Sequence, residues 1–404
     1  MADSGTFRLG AQTSAAVHIY SIQIVSSAIP ILVAGMEDNT RLRIATPLKG
    51  RGSANTTQSR FVTARTVVVD DGWGIDPRAN ERAPGTELFT DRTKQLITTN
   101  RSPDIPFGQS INPYKGCEHG CVYCFARPTH AYLDLSPGLD FETKIFRKSD
   151  PREHLLRELS RTSYTCSVIA MGTNTDPYQP FENSQRVTRE ILETLLELRH
   201  PVSIVTKSKL ILRDLDLLAA LAEHNLVQVN ISVTTLSNSL KTKLEPRTAS
   251  PAARLRTVAE LRAANIATGV MIAPVIPFIN DDEIEALVDA VADAGAQALR
   301  YILLRLPLEV APLFTEWLEA HFPHRSKRVL AAIRDTRGGK LYKSGWHTRF
   351  RGQGQIAELI SARFNKAAKA KGLYGRELTP LALNLFNQPT RKTPRANDRQ
   401  MDLF

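Results

Sequence analysis

Cysteine is scarce in this chain, with four residues in 404. So few cysteines exclude the dense disulfide framework of a small secreted domain. Three of the four, Cys117, Cys121 and Cys124, nevertheless lie within eight consecutive positions. Such clustering is typical of a metal site in a reducing compartment. We therefore expect a cytoplasmic protein that binds a metal.

A long uninterrupted apolar run is also missing. The stretch Ala15–Gly35 is only mildly apolar, because polar residues and a proline interrupt it: His18, Ser21, Gln23, Ser26, Ser27 and Pro30. It is too polar for a membrane span, and Arg8 alone makes a poor signal-peptide start. We expect no export and no membrane contact. Met36 begins a more ordinary polar sequence, so residues 1–36 are interpreted as an extension produced by the choice of start site.

Acidic residues are fewer than basic ones, 41 against 52, which gives a net charge of +11. The excess is concentrated between Arg325 and Arg376, where fourteen Lys and Arg residues accompany only Asp335 and Glu358. Aromatic residues lie among them: Tyr342, Trp346, Phe350, Phe364 and Tyr374. Cations bind phosphates and aromatic faces stack on unpaired bases, so this mixture favours nucleic acid as a partner. The alternative is a solvated basic helix face packed by a few aromatic residues.

The middle of the chain alternates short apolar runs with amphipathic stretches. The runs predict six strands: Ser110–Asn112, Ser167–Met171, Val202–Thr206, Val227–Val233, Gly269–Val275 and Leu299–Leu304. Helices are predicted at about 151–161, 184–199, 211–224, 251–265, 281–294 and 309–321. Repeated strand–helix units imply parallel strands, in either a doubly wound sheet or a full or partial barrel. Polar residues gather after the strands, so a single site is expected at their carboxyl ends.

The domain organisation follows from these patterns. Residues 37–104 are polar and are predicted to form an irregular arm, with one strand-like run at Arg65–Val69. Residues 105–322 form the α/β core, and residues 323–387 form an α-rich basic extension. Residues 388–404 have no periodicity and are expected to be a disordered tail.

The three clustered cysteines form a C-x3-C-x2-C run. Thiolates are the usual ligands of iron–sulfur clusters, and three of them leave one iron open to a small molecule. Zinc is the alternative, and it would need a fourth ligand such as His119 or His130. Paired C-x2-C units, which are typical of zinc sites, do not occur elsewhere in the sequence.

This run, with Tyr123 before its last cysteine, resembles the signature of the radical S-adenosylmethionine (SAM) superfamily. The segments Asn112–Cys117, Cys124–Arg127 and Gly172–Gln179 resemble the branch that contains spore photoproduct lyase and DNA repair photolyase-like proteins. The resemblance implies a partial (β/α)6 barrel of the TIM type with a [4Fe–4S] cluster on Cys117, Cys121 and Cys124. It also implies that an electron from the cluster cleaves SAM to methionine and a 5′-deoxyadenosyl radical. The electron would come from a donor such as flavodoxin or ferredoxin.

The same resemblance assigns SAM-binding residues at the strand ends. Thr173, Asn174, Thr175 and Asp176 are expected to meet the amino group of SAM, although they could simply form a turn that ends a strand. Lys207 could pair with the SAM carboxylate, and Ser232 could bind the ribose. Arg247 is a rival partner for the carboxylate, or else part of an ordinary loop ion pair.

Two further residues are catalytic candidates by resemblance to spore photoproduct lyases, which carry tyrosines on both sides of the last cluster cysteine and a separate cysteine that returns a hydrogen atom. Tyr123 matches the first tyrosine, but Phe125 stands at the second position. Cys166 could be the relay cysteine, although an inert buried cysteine is the more common situation. The departure at Phe125 puts thymine-dimer lyase activity in doubt.

The last five residues, Gln400–Phe404, resemble the peptide by which bacterial DNA polymerases and repair proteins bind the DNA sliding clamp. An extended peptide of this kind places two apolar anchors in a pocket. The leading hypothesis is therefore a radical SAM enzyme, with lyase activity as one form, that repairs or processes base lesions in DNA. The alternatives are a radical SAM enzyme that modifies RNA or a peptide, and a zinc-dependent nucleic-acid-binding protein without catalysis.

Overall fold

The computed structural model describes residues 48–54, 57, 59–61 and 85–390. The strands in this part of the chain are β1 (Glu87–Asp91), β2 (Ile97–Thr99), β3 (Gln109–Ile111), β4 (Tyr114–Lys115), β5 (Lys144–Lys148), β6 (Ile169–Met171), β7 (Val202–Thr206), β8 (Val227–Ser232), β9 (Ala267–Val275) and β10 (Ala298–Leu303). The α-helices are α1 (Asp140–Thr143), α2 (Pro151–Leu159), α3 (Glu182–Gln185), α4 (Val187–Glu197), α5 (Leu215–Glu223), α6 (Asn238–Leu244), α7 (Pro251–Ala263), α8 (Ile284–Asp293), α9 (Val310–His321), α10 (Pro323–Asp335) and α11 (Gln355–Ala370). Short 3-10 helices cover Arg127–Leu133, Lys209–Asp214 and Asp281–Glu283.

The central sheet contains six parallel strands that follow one another in chain order, β3-β6-β7-β8-β9-β10. A doubly wound sheet would reverse direction at a switch point, and this order has none. The strand order therefore decides between the two architectures that the sequence left open. It is the order of a partial (β/α)6 barrel, and the six predicted strands are confirmed with small shifts at their ends.

The helices form where apolar residues recur at helical spacing. In α4, Val187, Ile191 and Leu195 are buried on the face that packs against the sheet, and polar residues cover the opposite face. The start of α7 is fixed by Ser250, whose Oγ accepts a hydrogen bond from the Ala253 amide, and Pro251 is the first helical residue. Local sequence therefore sets these boundaries before any tertiary contact is made.

The prediction of an irregular arm over residues 37–104 is corrected by two short strands. Strand β1 pairs with β5 in a small second sheet, and β2 pairs with β3 in antiparallel register and extends the main sheet. Both strands are short and largely exposed, so their side chains show no clear alternation of buried and exposed positions. Their extended conformation therefore depends on backbone pairing with β5 and β3.

The C-terminal extension is α-rich, as predicted, and its last part lies along the amino-terminal edge of the parallel sheet. The amide of Asn387 donates to the Leu198 carbonyl, and the Gln228 side chain donates to the Thr379 carbonyl. Phe386 packs against the His200 ring. Residues 379–388 thus cover the end of the barrel opposite the strand carboxyl ends.

Three features proposed from the sequence lie outside the described residues: the extension 1–36, the strand-like run Arg65–Val69 and the terminal peptide Gln400–Phe404. Within the described residues, no helix has both the length and the apolar character that a membrane crossing requires.

Candidate functional site

The three clustered cysteines lie on a tightly packed loop at the carboxyl edge of the sheet, which we call the cysteine loop (residues 117–124). The Cys117 amide donates to the Phe141 carbonyl, and the Val122 amide donates to the Leu244 carbonyl. Gly116 enters the loop at a φ of +78°, where a Cβ would lie about 3 Å from the Ile145 and His130 side chains. Backbone anchors and a glycine without side chain thus hold the loop in place.

The thiols of this loop are buried, unbridged and close enough to influence one another. Cys117 and Cys121 are buried, Cys124 is half-buried, and none forms a disulfide. Burial raises the pKa of the Cys121 thiol, and Glu245 and the other two cysteines raise it further. Burial and Cys117 likewise raise the pKa of Cys124. A bound metal cation favours the thiolate form, and thiolates are the ligands of iron–sulfur clusters, so the donor set fits such a cluster.

The imidazoles suggested as a fourth zinc ligand have other partners. His119 Nδ1 lies 3.3 Å from Asp176 Oδ2, and His130 Nε2 lies 3.0 Å from the Lys144 carbonyl. No group of three or more His, Cys, Asp or Glu within the described residues could hold a single metal ion. A [4Fe–4S] cluster does not need such a group, because each thiolate binds a different iron atom.

His119 and Asp176 form a buried pair beside the cysteine loop. Burial alone would lower the pKa of His119, but Asp176 and Cys117 together raise it to about 10. Burial opposes ionisation of Asp176, yet His119 and the Thr206 hydroxyl hold its pKa down at about 2. Asp176 also accepts a hydrogen bond from the Lys207 amide at 2.8 Å. Both of its oxygens are occupied, so Asp176 orients the loop and strand ends and is not free for the SAM amino group.

The rest of the predicted amino-group site is a turn that is tied to the cysteine loop. Asn112 Oδ1 accepts a hydrogen bond from the Asn174 amide at 3.0 Å, and Thr175 Oγ1 donates to the Tyr114 carbonyl at 2.7 Å. The Thr173 hydroxyl lies 3.4 Å from the same Asn112 oxygen. Thr173 is half-buried and Asn174 is exposed, so these two keep polar groups at the mouth of the barrel.

Tyr123 is held by a buried carboxylate that the sequence did not reveal. Its hydroxyl donates to Glu245, which also accepts a 2.7 Å hydrogen bond from Thr234 Oγ1 and pairs with the Arg254 guanidinium. Burial would raise the pKa of Glu245, but Arg254 and Lys207 lower it to about 2. Burial, Cys121 and Glu245 raise the pKa of the Tyr123 hydroxyl well above its ordinary value, so Tyr123 keeps its proton and is oriented by this hydrogen bond.

Lys207 is the cation that faces the cysteine loop. Its charge lowers the pKa values of Cys121, Cys124 and Glu245. Its ammonium group has no hydrogen-bond or ion-pair partner among the described residues. An unpaired, half-buried cation at a strand end is suited to an anionic ligand such as a carboxylate.

Arg247 and Ser232, the two other residues predicted to bind SAM, have different partners in the structure. Arg247 pairs with Glu118 at 3.0 Å and donates to Thr86 Oγ1 at 3.2 Å, which is the loop ion pair considered as the alternative. Ser232 is buried at the carboxyl end of β8, and its carbonyl accepts a hydrogen bond from Arg254 at 3.0 Å.

Cys166 is not brought to the cysteine loop. It precedes β6, at the amino-terminal edge of the sheet, and its Sγ lies 3.8 Å from His200 Nε2. Burial raises the pKa of its thiol to about 11. The sheet separates Cys166 from the three other cysteines, so the fold offers no direct path for a hydrogen relay between them.

Arg127 and Glu142 were missed by sequence reasoning, although Arg127 follows the cysteine motif by only three positions. Arg127 Nε donates to the Cys121 carbonyl at 2.9 Å, and its guanidinium pairs with Glu142. Glu142 also accepts hydrogen bonds from the amides of Gly52 and Ser53 at 2.9 Å. The signal available in the sequence was an arginine three positions after the last cysteine. Its carboxylate partner lies fifteen residues further on, so the sequence did not connect the two.

Comparison with known proteins matches residues 111–291 to the sequence model of the radical SAM superfamily. An uncharacterised protein of Mycobacterium tuberculosis is 38% identical over 226 residues, which are 55% of this chain and 66% of that protein, just under two thirds of its length. A radical SAM Nα-GlyT isomerase of Pseudomonas phage M6 is 24% identical over 242 residues, 58% of this chain and 48% of that protein.

Among solved structures, a spore photoproduct lyase variant superposes with a TM-score of 0.52 at 15% identity, covering 70% of this chain and 78% of that one. At this identity the likeness concerns the fold alone. The chain is thus similar to the radical SAM superfamily over residues 111–291, slightly less than half of its length, and it shares the fold of the solved relative. The cofactors of that superfamily are a [4Fe–4S] cluster and SAM.

Proposed function

From the premise that residues 111–291 are a radical SAM domain, we propose that this protein cleaves SAM reductively and directs the resulting radical at nucleic acid. The reaction proposed is the repair or processing of a base lesion in DNA, as a lyase, in the cytoplasm. The observation that carries the nucleic-acid assignment is the position of the basic C-terminal extension, which is anchored at the carboxyl end of β10, the same edge of the sheet at which the cysteine loop lies.

The residues of this chain have separable parts in the proposed reaction. Cys117, Cys121 and Cys124 hold the cluster, and Lys207 holds the carboxylate of SAM. When bound, the cluster supplies the electron that splits SAM into methionine and a 5′-deoxyadenosyl radical. Thr173 and Asn174 are proposed to make polar contacts to SAM, and Glu245 accepts the hydrogen bond that orients the Tyr123 hydroxyl. The packed loop around the cysteines excludes water from this region.

The contact between the extension and the barrel is specific. Arg337 is buried and donates to the Leu303 and Leu304 carbonyls at 3.2 and 2.7 Å, at the end of β10. The Leu303 amide donates to the Phe350 carbonyl at 2.9 Å. The segment with the largest excess of positive charge is therefore anchored at the carboxyl edge, where parallel α/β folds have their sites.

The solved relatives are compatible with such a substrate. The fold is shared with a spore photoproduct lyase that has also been solved with dinucleoside spore photoproduct, at a TM-score of 0.50 and 14% identity. This supports the capacity of the fold to present a nucleic-acid lesion to a radical. The substrate of this chain is proposed from its own charge and geometry.

Anaerobic reconstitution with iron and sulfide is the first test. We expect a brown protein with about four iron atoms per chain that cleaves SAM when reduced with dithionite. Stoichiometric zinc without SAM cleavage would contradict the enzyme and favour the zinc-binding alternative.

The second test identifies the substrate. Deuterated candidate substrates are incubated with the reduced enzyme and SAM, and 5′-deoxyadenosine is examined for deuterium. We expect transfer from irradiated DNA. Transfer from RNA or peptide instead would favour the alternative of an RNA- or peptide-modifying radical SAM enzyme.

Two proposed partners extend this function. Gln400–Phe404, outside the described residues, is proposed to bind the DNA sliding clamp, and a peptide of these residues should compete for a recombinant clamp. Flavodoxin or ferredoxin is proposed as electron donor, and reduced flavodoxin should replace dithionite in the cleavage assay.

A further inference from the structure

At the mouth of the barrel, one arginine connects the first and the last of the six parallel strands. Arg305 follows β10, the last of the six parallel strands, and Phe125 follows the cysteine loop after the first. The Arg305 guanidinium carbon lies 4.5 Å from the centroid of the Phe125 ring and 4.7 Å from that of Phe350. Arg305 therefore lies between two aromatic rings, one from the barrel and one from the basic extension.

The charge of Arg305 has no protein partner in the part of the chain that the structure describes. Its guanidinium makes no hydrogen bond or ion pair there, although it is half-buried. Burial lowers the pKa of Arg305, and Arg349 lowers it further. A stacked guanidinium keeps its N–H groups at the ring edges, so an anion can still accept hydrogen bonds from them.

The neighbouring arginines leave excess positive charge at this place. Arg349 forms a two-pronged ion pair with Asp104, and Arg337 is held by backbone carbonyls. Arg337 Nε is buried without a hydrogen-bond partner. Asp104 is the one carboxylate that pairs with this group of three arginines within the described residues. Like charges packed without a balancing anion mark a site for an anionic ligand.

Exposed aromatic faces accompany the charge. Phe125 is 42% exposed although it directly follows Cys124, and Trp346 is 60% exposed in the loop that precedes Phe350. Exposing a large apolar ring to water is unfavourable, and nucleobases stack on such rings.

We infer that Arg305 and Phe125 form a nucleotide-binding site beside the cysteine loop, in which Arg305 binds a phosphate and the exposed face of Phe125 stacks on the adjacent base. The ligand is a single-stranded or unpaired nucleotide, because only an unstacked base presents its face to an aromatic ring. This inference rests on the proposed function and names its substrate class. The carboxylates of an acidic peptide could also bind Arg305, but such a peptide would leave Phe125 without a stacking partner.

The test measures binding of a fluorescein-labelled single-stranded oligodeoxynucleotide to the reconstituted full chain by anisotropy. We expect Arg305→Gln to raise Kd about 10-fold and to reduce the slope of log K against log salt by about 0.7, the value for one phosphate contact on a single strand. Phe125→Leu should raise Kd about 5- to 10-fold and leave that slope unchanged, since stacking involves no phosphate. Iron content and thermal unfolding report whether each variant is folded.

Arg256→Gln is the matched control, because it removes the same charge from an exposed position on α7, outside the basic extension. A loss of affinity equal to that of Arg305→Gln would overturn the site and leave only general electrostatic attraction. Wild-type binding with undiminished binding by both variants would overturn the inference alone. A wild-type protein that binds an acidic peptide through Arg305, and no nucleic acid, would overturn the inference and the nucleic-acid assignment together.

Discussion

The Arg127 guanidinium and the Glu142 carboxylate form an ion pair in which both side chains are fully inaccessible to solvent. Arg127 also donates to the Cys121 carbonyl, and Glu142 receives the amides of Gly52 and Ser53. The pair therefore connects the cysteine loop to a segment more than sixty residues earlier. Its two charges compensate each other where no solvent reaches them.

Breaking this pair should destabilise the protein strongly. Glu142→Ala leaves a buried guanidinium without its counter-charge and two amides without acceptors, so we expect the free energy of unfolding to fall by about 3 to 5 kcal/mol. Urea unfolding under anaerobic conditions measures it. Arg300→Ala is the control, because Arg300 and Glu377 form an exposed pair whose loss should cost less than about 1 kcal/mol. Equal effects of the two substitutions would contradict the structural role of Glu142.

The cysteines should separate into three ligands and one bystander. Cys117→Ser, Cys121→Ser and Cys124→Ser should each lose the brown chromophore and most of the iron after reconstitution, because three protein thiolates carry the cluster. Cys166→Ser should retain both, because Cys166 lies at the opposite edge of the sheet. Iron analysis and visible absorption decide the matter. Retention of the chromophore by Cys121→Ser would refute the proposed ligand set.

Lys207→Met should weaken SAM binding. A charge-assisted hydrogen bond is worth about 1.5 to 3 kcal/mol, so Kd should rise about 10- to 100-fold. Calorimetric titration of the reconstituted protein with SAM measures the change. Lys209→Met is the control, since Lys209 is exposed two residues further on and should bind SAM normally. If Arg247→Met weakens binding and Lys207→Met does not, the carboxylate partner is Arg247.

His200 should make stability depend on pH. Burial lowers the pKa of His200 from 6.5 to about 4, so the folded protein holds a neutral imidazole that the unfolded chain would protonate. The stability of the fold with a neutral His200 is fully present above pH 6.5, and it is lost as the pH falls from 6.5 towards 4. The loss approaches about 1.4 kcal/mol per pH unit.

The neighbours of His200 do not titrate in this range, since burial raises the pKa of Cys166 to about 11 and that of Tyr164 still higher. We expect His200→Gln to show a shallower decline in the free energy of unfolding between pH 6.5 and 4 than the wild type. Urea titrations at several pH values measure both curves. Parallel curves would mean that the pKa of His200 is the same in the folded and the unfolded protein.

Much of the barrel could be predicted because its signals are local. The strands Val202–Thr206 and Val227–Ser232 are short apolar runs between turn residues, and the Ser250–Pro251 cap fixes a helix start by itself. Strands β1 and β2 could not be predicted, since neither has a buried face of its own. Strand order also escaped prediction, because strand–helix repeats are common to both barrels and doubly wound sheets.

The sequence by itself determined the cysteine run and the succession of strands and helices, because each depends on residues within a few positions of one another. Only the tertiary structure decided what the flanking residues do. It committed Asp176 to His119 and Arg247 to Glu118, left the Lys207 ammonium group without an ion-pair partner among the residues it describes, and separated Cys166 from the other cysteines. It also brought Arg305 onto Phe125, 180 positions earlier in the chain. Such contacts depend on how the sheet curves and where the extension packs. No local pattern of residues determines which distant residues come into contact.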